Sequence, residues 1–198
     1  MQPAPAKAIP AEQSGGLKGR GANAPSRHAA IIAFLVYFAL AMALQRLAGA
    51  GAAFQIDSDS AAHYLTALMF HDYVRSGLPE GPLVYAVRYY GHFPMIGVGH
   101  WPPLFHLVPA AWMFIFGTTQ SAGLLLLAAI TAATAAVLQR LVARTMGTIW
   151  GWGAGFIFVT ARLVQLASVE IMADSPGTLC ALNYLFLAAP VFGPQGVR

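Results

Sequence analysis

Hydrophobic positions in this chain fall in long unbroken runs, not in the short alternations that build a soluble core. Ala29 to Ala48 is almost purely apolar. About 20 such residues at ~1.5 Å each match the ~30 Å hydrocarbon layer of a bilayer, which predicts a first membrane span at about 29–48. Three further runs predict the others, at about 121–141, 148–168 and 177–192. A fifth run, Pro103 to Phe116, is short for a span, and Trp101 and Trp112 suit a headgroup boundary, so a surface helix is expected there. Between the first two long runs the pattern changes. Asp59 to Ser76 places Tyr64, Leu65, Leu68 and Met69 at helical spacing, with Ser58, Asp59 or Ser60 as N-cap and Gly77 as the stop. The following stretch, through Pro79, Pro82, Gly91, Pro94, Gly97 and Gly99, predicts loop. Residues 1–28 have no hydrophobic period and are rich in Pro, Ala and Gly, so a disordered leader is expected.

Composition agrees with lipid as the solvent. The chain is 58% hydrophobic and 9% charged, where a soluble domain carries about a quarter charged residues. The net charge of +4 owes much to Lys7, Lys18, Arg20 and Arg27 in the leader. No basic stripe with interleaved aromatics follows, so no nucleic-acid partner is expected. Arg140 and Arg144 lie between the second and third runs, and Arg198 follows the fourth. If the 103–116 run stays on the surface, all of these basic residues are cytoplasmic; if it spans, Arg140 and Arg144 move outside. Run length and the positive-inside rule favour the first arrangement. The fold class expected is all-α integral membrane, with about four transmembrane helices and amphipathic surface helices in a large first outer loop, 49–118. A short second outer loop carries Glu170 and Asp174, and 193–198 forms a cytoplasmic tail. The location expected is the inner (plasma) membrane, with the membrane lipid itself as a partner. Ala48, Ala50 and Ala52 resemble a signal cleavage site, but the long basic leader and the later runs favour an uncleaved anchor. Cys180 is the only cysteine, which excludes an intrachain disulfide.

The candidate chemistry lies in two acidic groups that this topology brings to one outer face: Asp57 with Asp59 after the first span, and Glu170 with Asp174 before the fourth. Acids at span ends face a polar cavity or a partner because hydrocarbon penalises them by about 2.5–3.5 kcal/mol at its centre. Glu170 and Asp174 share a helical face if one helix carries both. Capping is the competing use: Asp59 for the first surface helix, and Asp174 with Ser175 ahead of Pro176 for the fourth span. His63, His71, His92, His100 and His106 make a zinc site with a carboxylate chemically feasible, but no two have the spacing of a helical ligand pair. Asp57-Ser58-Asp59 also spells an Asp-x-Asp metal motif, weak by frequency and out of place without a nucleotide-binding domain. Arg162 sits about two turns inside its span and is expected to snorkel outward.

Taken in order, Asp59-Ser-Ala-Ala-His63-Tyr64, Asp72-Tyr73, Tyr89-Tyr90-Gly-His92, Gly99-His100-Trp101-Pro102-Pro103-Leu104 and Glu170-Ile-Met-Ala-Asp174 resemble the N-terminal half of a GT-C glycosyltransferase. The similarity is to the superfamily of the protein mannosyltransferases and the aminoarabinose transferase of lipid A, and it covers about residues 30–192. It implies transfer of a sugar, hexosyl or pentosyl, from a polyprenyl-phosphate donor to a hydroxyl or similar nucleophile at the outer membrane surface. Asp59 matches the family's catalytic base in the first outer loop, and Asp174 matches the second acid. Three departures stand out. Ser60 replaces the second acid of the usual Asp-Glu pair, so any work of that acid falls to Asp57. Trp101 precedes the Pro pair, with His100 one place earlier. Gln120 stands where many members carry Arg. The cation that steadies the leaving phosphate is then Arg162, His100 or a divalent metal, and Glu170 joins the substrate-binding set. Complete members are longer, so a partner chain or a longer polypeptide is expected to complete the site. The alternative is a non-catalytic multi-pass protein, either a transporter-like component or a degenerate fragment of such an enzyme.

Overall fold

The computed structural model describes residues 27–50, 57–97, 99–101, 103–172 and 174–188, with the side chains of Asp174 and Ser175 outside that description. Every regular element among the described residues is a helix. The expected leader, apart from Arg27 and His28, and the expected tail at 193–198 lie outside the described residues. Arg27 and His28 already belong to the first helix.

Helices α1 (Arg27–Leu47) and α5 (Gln120–Met146) are each long and apolar enough to cross a membrane, with mean hydropathies of 2.0 and 2.1. Helix α5 outruns its expected end at Leu141 and stops at Gly147, whose φ of +97° strains any residue with a Cβ. Thr119 caps its start, its hydroxyl accepting from the Ala122 N–H at 3.3 Å. Ala128, Ala132 and Ala135 of α5 are wholly buried in one cluster with Ala33, Tyr37 and Ala41 of α1 and with Val159. Small side chains at this spacing let helix backbones approach closely, and the contact energy is then mostly dispersion.

The run expected as a third span is two helices, α6 (Thr148–Thr160) and α7 (Arg162–Ala167). They part at Ala161, which is extended at φ −61° and ψ 132°. Neither Gly nor Pro stands at the break, so nothing in the residue pattern signals it. Gln165 Nε2 donates to the Thr160 carbonyl at 3.0 Å, satisfying an acceptor that the interruption leaves without its helical partner. Helix α6 packs along α5, and α7 touches α1. Gly151 lies against Gln139 and Ala143. At the other end Gln45 Nε2 donates to the carbonyls of Ser168 at 2.7 Å and Leu124 at 3.2 Å. Helix α8 (Asp174–Ala188) begins ahead of the expected 177, and 189–192 of that expected span lie outside the described residues. It returns along α5, bringing the Phe186 ring to 3.7 Å from the Arg144 guanidinium.

These contacts give the bundle two chemically different ends. Arg27, Arg140 and Arg144 lie at one end. Gln45, Leu124 and Ser168 lie at the other, where α2 (Ser58–Arg75), α3 (Pro82–His92) and α4 (Pro103–Phe116) are gathered. Helix α4 coincides with its expected run, and α2 starts one residue early. Helix α3 corrects an expected loop. Pro82 is pre-set for the first helical turn, and Tyr85 and Ala86 bury against Met69 and Ile96. Helix α4 packs along α2 and meets the start of α5, where Trp112 Nε1 donates to the Ala122 carbonyl at 2.8 Å. Gly117, at φ +82°, makes the reversal between α4 and α5.

Candidate functional site at the acidic end of the bundle

A single buried hydrogen bond organises this end. Ser60 is wholly buried, and its hydroxyl accepts from the Ile171 N–H at 2.9 Å. The first turn of α2 is thereby tied to the segment between α7 and α8. Asp59 and Glu170 are the chain neighbours of these two residues. Acids more than a hundred positions apart in sequence are therefore carried to the same place.

The three candidate caps for α2 give way to a fourth residue. Asp57 is the N-cap, its Oδ2 accepting from the Asp59 N–H at 2.9 Å and the Ser60 N–H at 3.2 Å. That contact fixes Asp57 and leaves the exposed Asp59 side chain free of capping duty. Glu170 is half-buried and precedes α8, so it does not share a helical face with Asp174 as the i, i+4 spacing suggested. Asp174 opens α8.

The two expected cationic groups are both exposed. His100 is exposed in the turn before α4, its ring edge on Trp101 with centroids 5.1 Å apart. Pro102 of the Pro pair lies outside the described residues. Arg162 is exposed at the start of α7. Six residues separate it from Ser168, roughly 9 Å at helical rise, so it lies below the junction rather than in it. The histidines expected as possible ligands are used otherwise. His63 Nδ1 and His106 Nε2 are 3.0 Å apart, both rings buried, with Trp101 against His63 at 4.3 Å between centroids. The pair fastens α4 to α2. Among the described residues, no three His, Cys, Asp or Glu side chains are grouped to hold a metal ion.

Sequence reasoning missed Gln45 and Arg46. A cavity of about 370 Å³ opens beside them, lined also by Met42, Ala50, Ser121 and Leu124. Gln45 is 3% exposed, and its Oε1 has no hydrogen-bond partner among the described residues while Nε2 serves two carbonyls. The exposed Arg46 supplies a guanidinium at the cavity, five donors in a fork suited to phosphate. Gln120 closes this corner, its Nε2 donating to the Ala50 carbonyl at 2.8 Å. The signal in the sequence was a polar pair interrupting an apolar run at its outer end. Comparison of the chain with protein-family models, with curated proteins and with solved structures gives no match.

Proposed function

We propose that this chain is a GT-C-like glycosyltransferase module of the inner (plasma) membrane, acting at its outer face on a polyprenyl-phosphate sugar. The observation that supports this reading is the Ser60–Ile171 hydrogen bond, which ties the chain neighbours of Asp59 and Glu170 at the end of the bundle opposite Arg27, Arg140 and Arg144. By the positive-inside rule the acidic end is the outer one. In the reaction, the Asp59 carboxylate takes the proton of an acceptor hydroxyl as its oxygen bonds to the anomeric carbon. The bond from that carbon to the phosphate oxygen breaks, and polyprenyl phosphate leaves with the electron pair. A positioned carboxylate supplies typically ~10²- to 10⁴-fold in such a step. Arg46 is better placed than Arg162 to steady the leaving phosphate, because it lines a cavity at the acidic end. Glu170 and Asp174 complete the donor side.

Four crossings accommodate this reading, with α6 and α7 as one interrupted span and α8 as the fourth. Helix α4 then lies along the membrane surface, its exposed Leu104, Leu107 and Ile115 turned to lipid. The break at Ala161 is the one feature that favours a transporter-like alternative, since discontinuous helices line transport sites. Proteoliposomes holding the full chain, supplied with donor and membrane extract as acceptor, decide between the two. The expected result is chain-dependent release of polyprenyl phosphate, with Arg46→Gln lowering kcat/KM for donor at least tenfold through a fall in kcat. Donor left intact under every acceptor and partner condition favours the non-catalytic alternative.

A further inference from the structure

At the far end of α2 a second polar constellation faces a cavity that the sugar-transfer reading does not use. The cavity measures about 340 Å³ and is lined by His71, Arg75, Met113, Phe114, Gly117 and Thr118. His71 is 3% exposed. Its Nδ1 lies 2.9 Å from Asp72 Oδ1, and Asp72 Oδ2 accepts from the Tyr89 hydroxyl at 3.0 Å. A carboxylate only accepts, so Nδ1 carries the hydrogen and the ring presents Nε2 as its remaining polar atom. Phe114 holds the ring from the side, with centroids 4.5 Å apart. Packing alone needs none of this: a buried imidazole oriented by a carboxylate, itself oriented by a phenol, is an arrangement that presents a nitrogen. One helical turn further on, on the same face of α2, the exposed Arg75 stands at the cavity.

We propose that this pocket binds a phosphate group, with His71 Nε2 and the Arg75 guanidinium as its polar contacts and Met113 and Phe114 as its apolar wall. Nε2 accepts the hydrogen of an incompletely ionised phosphate group or, once protonated, donates to its oxyanion. The guanidinium matches phosphate geometry with two parallel N–H donors. The site is independent of the one at Asp59. Twelve residues along one helix separate Asp59 from His71, about 18 Å, too far for a phosphate held here to leave from a sugar attacked under Asp59. The ligand chemistry has two sources, the head group of a phosphatidate lipid or free phosphate.

Titration calorimetry of the full chain in a maltoside detergent separates them, using dihexanoyl phosphatidate and inorganic phosphate as probes. Saturable binding that His71→Gln and Arg75→Gln each weaken at least tenfold, while Arg88→Gln on α3 does not, is the expected result. Phosphatidate binding at least tenfold tighter than inorganic phosphate assigns the site to a lipid head group, and equal affinities assign it to free phosphate. Should His71→Gln fail to fold, Arg75→Gln decides alone, because Arg75 is exposed. Absence of saturable binding by both probes, or binding unchanged in the variants, overturns the proposal.

Discussion

Asp57 and Asp59 show how two like side chains two residues apart come to differ. One oxygen of Asp57 holds two backbone N–H groups of the first turn of α2, and Asp59 stands exposed beside it. Nothing in the spelling Asp-Ser-Asp-Ser selects the cap, because both of its residue types can cap a helix. The selection comes from tertiary structure, since Ser60 is taken by Ile171 and must lie inside the helix. At the other end of α2 a pH dependence follows from Tyr89. Burial first, then the charge of Asp72, pushes its phenol above the usual value near 10, and Tyr64 is raised by the same two causes. Above about pH 10 the unfolded chain gives up a phenolic proton that the folded chain keeps, so stability is full below that pH and falls as pH rises. Thermal unfolding in detergent between pH 8.5 and 11 is expected to show this fall, less steeply in Tyr89→Phe. Equal slopes in the two proteins contradict the assignment.

At the scale of elements, what the sequence showed and what it hid follow from the kind of signal each element carries. Runs of apolar residues mark α1, α4 and α5 because lipid or a buried partner tolerates little else there. Helix α3 was hidden because Pro82 and Gly91 were weighed as breakers, although Pro is at home in a first turn and Gly91 lies beside the last. The break at Ala161 was hidden because no residue there forbids helix, and Gln165 patches it locally. Close packing between α5 and α6 gives a contrast within one element. A Cβ on Gly151 would stand 2.6 Å from the Gln139 carbonyl oxygen and 2.8 Å from the Ala143 Cβ, whereas one on Gly153 meets nothing within 4 Å. Gly151→Ala is expected to cost about 1–3 kcal/mol through overpacking. Gly153→Ala is expected to gain about 0.5–1 kcal/mol, as Gly to Ala does in an open helix position. Unfolding free energies in mixed micelles give both values, and equal effects would contradict this packing.

For the whole molecule, the proposed function gives the acidic and basic ends a direction across the membrane. With Cys180 replaced, single cysteines at Ser76 and Thr145 report the two ends to an impermeant maleimide applied to intact cells. Ser76→Cys is expected to label and Thr145→Cys to stay silent; the reverse would invert the topology. Of the candidate site, the approach of the start of α2 to the segment around 170–171 was legible in the sequence, because the proposed topology brings both to one side. The Gln45 and Arg46 cavity was not, since only packing of α1 on α5 creates it. The most direct test of the central claim is sugar transfer by Asp59→Asn against the unaltered chain, in proteoliposomes with a polyprenyl-phosphate donor. Asparagine keeps the size of the side chain and removes its basicity. The account predicts a loss of at least ~10²-fold in kcat with expression and thermal stability unchanged, and transfer at a near-normal rate by Asp59→Asn would contradict it.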